Sequence, residues 1–115
     1  MRQAASTSAA AFTPAILALV SERFKALAEP ARLQILKALQ DGEHTVNALV
    51  EATGLGQANV SKHLQLLHAL DFVTRRRDGL HVYYALTDDR VFTLCDIVCG
   101  RLDRETAARQ ALLIR

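Results

Sequence analysis

The sequence predicts a mainly α-helical fold with one small β-hairpin, α+β in class, with about five helices. Three observations predict it. Over most of the chain apolar residues recur every three or four positions, the helical period. After residue 71 the period changes to alternation in two short runs, "FVTRRR" and "HVYYAL", rich in Val, Tyr and Phe. Between these runs stands Asp78-Gly79, a strong hairpin signal.

The elements follow in order. Residues 1–12 are rich in Ala, Ser and Thr and read as a loose tail, so the domain is expected over residues 13–115. The opening run "MRQAASTSAAAFTPAILALV" mimics a signal peptide. Pro14 sits inside it, however, and the apolar pattern continues past Glu22, Arg23 and Lys25, so a helix is the better reading. Thr13-Pro14 starts that helix, and Ile16, Val20, Phe24 and Leu27 form its stripe. Pro30 interrupts it and starts a second, whose stripe is expected at Leu33, Leu36 and Leu39, with Gly42 as the stop. A short helix, "TVNALVEATG", has Thr45 as N-cap and Gly54 as terminator. After a tight turn comes "QANVSKHLQLLHAL". Two helices joined by a short Gly-containing turn are the helix-turn-helix pattern. Beyond the hairpin, Thr87-Asp88 caps a last helix with Val91, Leu94, Cys95, Val98 and Leu102 on one side.

Composition bounds the function. The chain has 115 residues and a net charge of only +2, so any surface for nucleic acid must be local. Its two cysteines are too few for a disulfide framework, which favours a reduced, cytoplasmic protein. No apolar run reaches the roughly eighteen residues of a membrane span. No nucleophile–base order, phosphate loop or carboxylate pair points to an enzyme.

The fourth helix carries the strongest signal. At about 100° per residue, Val60, Leu64 and Leu67 fall on one arc and should pack inward. Gln57, Ala58, Ser61, Lys62 and Gln65 lie on the opposite arc, with Asn59 beside them. That face carries amides, a hydroxyl and a cation but no acid. It suits the major groove, where amides pair with adenine and small residues approach thymine methyls. An ordinary solvated helix face would look much the same. His63 lies at the edge of the apolar arc, packed or touching phosphate. Arg75, Arg76 and Arg77 sit on the hairpin with His81, placed to neutralise backbone phosphates. A helix-turn-helix followed by a basic hairpin is a winged helix.

Three blocks, "FKALAEPARLQILKAL", "GLGQANVSKHLQLL" and "RRRDGLHVYYAL", together resemble the ArsR/SmtB family of bacterial winged helix-turn-helix transcriptional regulators. The resemblance covers roughly residues 16–103. It implies a homodimeric repressor joined through its first and last helices, bound to palindromic operator DNA and released by an effector. It puts Gln57, Ala58, Ser61 and Lys62 at the family's DNA contacts and the wing arginines at its phosphate contacts. The two apolar terminal helices of so small a domain independently suggest pairing about a two-fold axis.

Family members hold their effectors at different places. "HTVNALV" lacks the cysteines of one site type, and "PARLQILKAL" lacks the cysteine of the persulfide sensors. Asp88 matches the first position of a last-helix zinc site, but Arg90, Arg101 and Arg104 stand where its other ligands would be, and arginine does not ligate metals. Cys95 and Cys99 remain, one helical turn apart. They could bind a thiophilic metal ion or arsenite, answer to thiol oxidation, or only pack as small hydrophobes in an effector-independent repressor. Four residues of helix separate their Cβ atoms by about 5–6 Å, too far for an unstrained disulfide.

Overall fold

The computed structural model describes residues 12–98 and residue 100. Four helices lead to an antiparallel hairpin and a fifth helix follows. They are α1 (Pro14–Leu27), α2 (Pro30–Leu39), α3 (Val46–Thr53), α4 (Gln57–Ala69), β1 (Val73–Asp78), β2 (His81–Leu86) and α5, residues 91–98.

Local chemistry sets the boundaries. The Thr13 hydroxyl accepts from the Ile16 amide at 3.3 Å, and Pro14 occupies the first turn of α1. Thr45 does the same for α3, accepting from Ala48 N at 3.1 Å. Gly54 ends α3 in the left-handed region (φ +77°), where a side chain would crowd the backbone. At the end of α4, Phe72 N donates to Leu67 O and Asp71 N to His68 O. That pair of bonds is a Schellman ending, with Asp71 rather than glycine at positive φ (66°). Asp88 Oδ1 accepts from the Arg90 amide at 2.9 Å in the turn that precedes α5, a bond made outside the helix and not to one of its first-turn amides.

One cluster forms the core: Ile35, Leu36 and Leu39 of α2, Leu49 of α3, Val60, Leu64 and Leu67 of α4, Val73 of β1 and Tyr84 of β2. The expected inward arc of α4 is therefore correct at all three positions. The α2 stripe needs correction, because Leu33 is exposed and Ile35 is fully buried. On the helical wheel, Leu33 lies roughly 110° from the middle of the arc that Ile35, Leu36 and Leu39 share.

The hairpin register pairs Val73 with Leu86 and Asp78 with His81, leaving Gly79-Leu80 as a two-residue turn. Gly79 takes φ +62° in its first position, the type II′ pattern that matches strand twist. A short backbone bridge adds a third edge. His44 N donates to Tyr84 O at 2.9 Å and Tyr84 N to His44 O at 2.8 Å. The hairpin is thereby fastened to the loop between α2 and α3.

Candidate nucleic-acid interface

Burying Val60, Leu64 and Leu67 turns the opposite side of α4 to solvent. Gln57, Ala58, Asn59, Lys62 and Gln65 are exposed there, and Ser61 is partly so. No acidic residue occurs anywhere in α4, so nothing on it repels a phosphate. Gly56 at its N-cap brings no side chain. The first-turn amides, which carry the positive end of the helix dipole, are thus unscreened.

His63 faces the other way. Its Nδ1 accepts from Arg32 Nη1 at 3.3 Å. The same guanidinium donates from Nε to Ala26 O (2.6 Å) and from Nη2 to Lys25 O (3.4 Å), closing the C-terminal turn of α1. Burial, and then the charges of Arg32 and Lys62, hold His63 below its ordinary pKa. The neutral ring keeps the lone pair that this bond needs. Of the two roles expected for His63, packing is the one its contacts support.

The wing arginines divide between two faces. Strand alternation puts Arg75 and Arg77 on the side of Val73, and Arg76 on the other side with Tyr83 and His81, given the pairs Arg75–Tyr84, Arg76–Tyr83 and Asp78–His81. Arg76 forms a two-pronged ion pair with Glu43, donating from Nε at 3.2 Å and from Nη2 to the second oxygen. Its guanidinium lies 4.7 Å from the centroid of the Tyr83 ring. The bond to Arg76 holds the Glu43 carboxyl below its ordinary pKa and raises that of the guanidinium. Among the described residues Arg75 and Arg77 make no ion pair, and both are exposed. Leu80 at the hairpin tip is 96% exposed, next to His81. Arg32, Glu43 and Tyr83 were not foreseen as part of this region. Period-two spacing could have separated Arg76 from its neighbours, but no local pattern links it to a residue 33 positions earlier.

The terminal helices present a different surface. Of α1 only Ala26 is buried. Leu17, Leu19 and Phe24 of α1 and Leu94, Ile97 and Val98 of α5 are exposed. A groove of about 410 Å³ runs between these helices, lined by Phe24, Leu27, Leu70, Phe72 and Leu94. Cys95 is half-buried on α5, and Cys99 and Leu102 lie outside the described residues. Asp88 is engaged by Arg90, with Nη2–Oδ2 at 2.6 Å, which lowers its pKa to about 2. Among the described residues no three His, Cys, Asp or Glu side chains cluster as a metal site. No helix there is long and apolar enough to cross a membrane.

The sequence profile described as "Bacterial regulatory protein, arsR family" matches residues 29–75, from the start of α2 into β1. Among curated proteins the chain is 42% identical over 71 residues to the "Probable mercury resistance operon repressor" of Streptomyces lividans, covering 62% of this chain and 57% of that protein. The matches span 57%, 56% and 38% of the lengths of three such relatives. Among solved structures, a homodimeric winged helix-turn-helix DNA-binding domain from Mycobacterium bovis is 36% identical with a TM-score of 0.70, over 79% of this chain and 87% of that one. An antimony-specific transcriptional repressor is 28% identical with a TM-score of 0.71, over 83% and 86%.

Proposed function

Because the chain belongs to the arsR family of bacterial regulatory proteins, we propose that it is a homodimeric, sequence-specific repressor that binds double-stranded operator DNA. The observation that carries this reading is the exposed, acid-free polar face of α4 together with the exposed cations Arg75 and Arg77, which make no ion pair among the described residues. Gln57, Ala58, Asn59, Ser61, Lys62 and Gln65 read base edges in the major groove. Arg75, Arg77 and His81 meet the flanking backbone. A second copy covers the apolar residues of α1 and α5, and the two-fold axis sets the reading helices about one turn of DNA apart. Such a protein works in the cytoplasm, as a regulator and not as an enzyme.

The effector in this reading is a thiophilic ion, arsenite or a soft metal, held by the thiolates of Cys95 and Cys99. Soft ligands one helical turn apart suit such an ion better than a disulfide. Similarity to proteins named for mercury resistance and for antimony points the same way. Asp88, bound by Arg90, is not among the ligands. Binding at the helix that builds the dimer contact changes the angle between protomers and the spacing of the reading helices. A differential affinity of a few kcal/mol suffices to empty the operator.

Fluorescence anisotropy on DNA from the upstream region of its own gene tests both parts. The reduced protein should prefer that DNA by about a thousandfold or more over a scrambled duplex, with affinity falling steeply in salt. Equal affinity for all duplexes would sink the repressor reading. Arsenite, cadmium or zinc should then release the wild type but not Cys95→Ser or Cys99→Ser. Release by a mild oxidant alone would make the thiols redox sensors. A complex that ignores every agent would leave them as packing residues.

A further inference from the structure

The three adjacent arginines of β1 are chemically alike but structurally unequal. Arg76 spends its guanidinium on groups within the chain, gripping both oxygens of Glu43 and lying over the Tyr83 ring, with Asp78 Oδ2 3.7 Å from Nη1. Glu43 belongs to the loop that leads into α3, one residue before His44. The backbone of His44 exchanges two hydrogen bonds with Tyr84. Ion pair and backbone bridge therefore fasten the hairpin to the helix-turn-helix through two consecutive loop residues, Glu43 and His44, and two neighbouring cross-strand pairs of the hairpin. A fork satisfied by a carboxylate has to surrender it before meeting a phosphate. Arg75 and Arg77, on the other face, have no such partner among the described residues.

We infer that Arg76 is a positioning residue and not a phosphate contact: the Glu43–Arg76–Tyr83 clasp fixes the angle of the wing against the reading unit, so that Arg75 and Arg77 reach the backbone. This rests on the DNA-binding reading above and revises the role that sequence alone gave Arg76. The clasp is half-exposed, so it works by restraint and not by large stabilisation.

Operator affinity measured by anisotropy across a salt series separates the roles. Arg75→Ala and Arg77→Ala should each weaken binding and reduce the slope of log K against log salt by about one. Arg76→Ala and Glu43→Gln should each weaken binding about fivefold with the wild-type slope. The double variant should be no worse than either single one, because both remove the same clasp. A purely structural role would lower the melting temperature and leave the affinity of the folded protein unchanged. In the free protein, the Arg76 and Glu43 variants should both speed amide exchange at His44 and Tyr84, and Arg75→Ala should not. A slope lowered by Arg76→Ala would overturn the inference, as would Glu43→Gln protein that binds as tightly as wild type. Wild-type protein with no operator preference would contradict the DNA-binding reading instead.

Discussion

The middle of this chain and its two ends use apolar residues in opposite ways. From α2 to β2, nine residues interlock into a closed core, and Ile35, Leu49, Val60, Leu64 and Leu67 have no solvent exposure. In α1 and α5 the apolar residues face outward, Phe24 at 55% and Ile97 at 65% exposure. Helical periodicity is equally good in both regions. The difference is that the central helices find their partners within the chain, whereas the terminal helices have more apolar surface than one copy can cover. Contiguous exposed surface of that kind marks an association site. Arg32 joins the two regions, holding the last carbonyls of α1 and His63 of α4 in one guanidinium.

If the core is self-sufficient, damage there should be the most costly. Leu64→Ala should cost about 2–5 kcal/mol, read as a lower melting temperature and urea midpoint. A loss below about 1 kcal/mol would mean the core is looser than its burial implies. The same insult at the ends should act on assembly instead. Phe24→Glu should leave a folded monomer, seen by far-UV circular dichroism and light scattering, with operator affinity down roughly a hundredfold as the second reading helix is lost. Unchanged affinity in a monomeric variant would break the link between the ends and DNA binding.

Two helix caps sharpen the contrast. Thr45→Ala, which removes a partly buried cap next to the core, should cost about 1 kcal/mol. Thr13→Ala removes the corresponding bond at the exposed end of α1, where water replaces it, and should cost less than half as much. Equal losses in denaturant melts would show that α1 is held as firmly as α3.

The smallest effect concerns the joint between the regions. His63 is held below its ordinary pKa of 6.5, so the unfolded chain binds the proton more tightly than the folded one. Stability is therefore unaffected by this group above pH 6.5 and is lost as pH falls below it, through the folded-state value. His63→Gln keeps an acceptor for Arg32 without a titrating ring. Its melting temperature should fall less than that of wild type between about pH 7.5 and about pH 5.5. Parallel pH profiles for the two proteins would remove His63 from this role.

Much of this arrangement was legible because it is local. The inward arc of α4, the caps at Thr45 and Gly54 and the hairpin at Asp78-Gly79 each follow from residues within one turn of each other. What escaped the sequence is non-local or context-dependent. The Arg76–Glu43 pair and the Arg32–His63 pair each join residues more than 30 positions apart, with no periodic signal between them. Asp71 stands where a Schellman ending favours glycine, and only the observed backbone reveals that the turn is made without it. Leu33 kept the helical spacing but missed the core because a wheel fixes relative direction and not which arc faces inward. The role of Cys95 and Cys99 escapes the sequence for another reason. Cysteine serves equally as a small hydrophobe and as a soft ligand, and spacing alone does not choose.

The most direct test of the whole account is the mass of the protein–operator complex by sedimentation equilibrium, with wild type and Phe24→Glu side by side. Wild type should sediment as two chains on one specific duplex, and the variant as a weakly bound single chain. A stable complex of one wild-type chain per operator would contradict the central claim, that the terminal helices exist to pair two readers on one DNA.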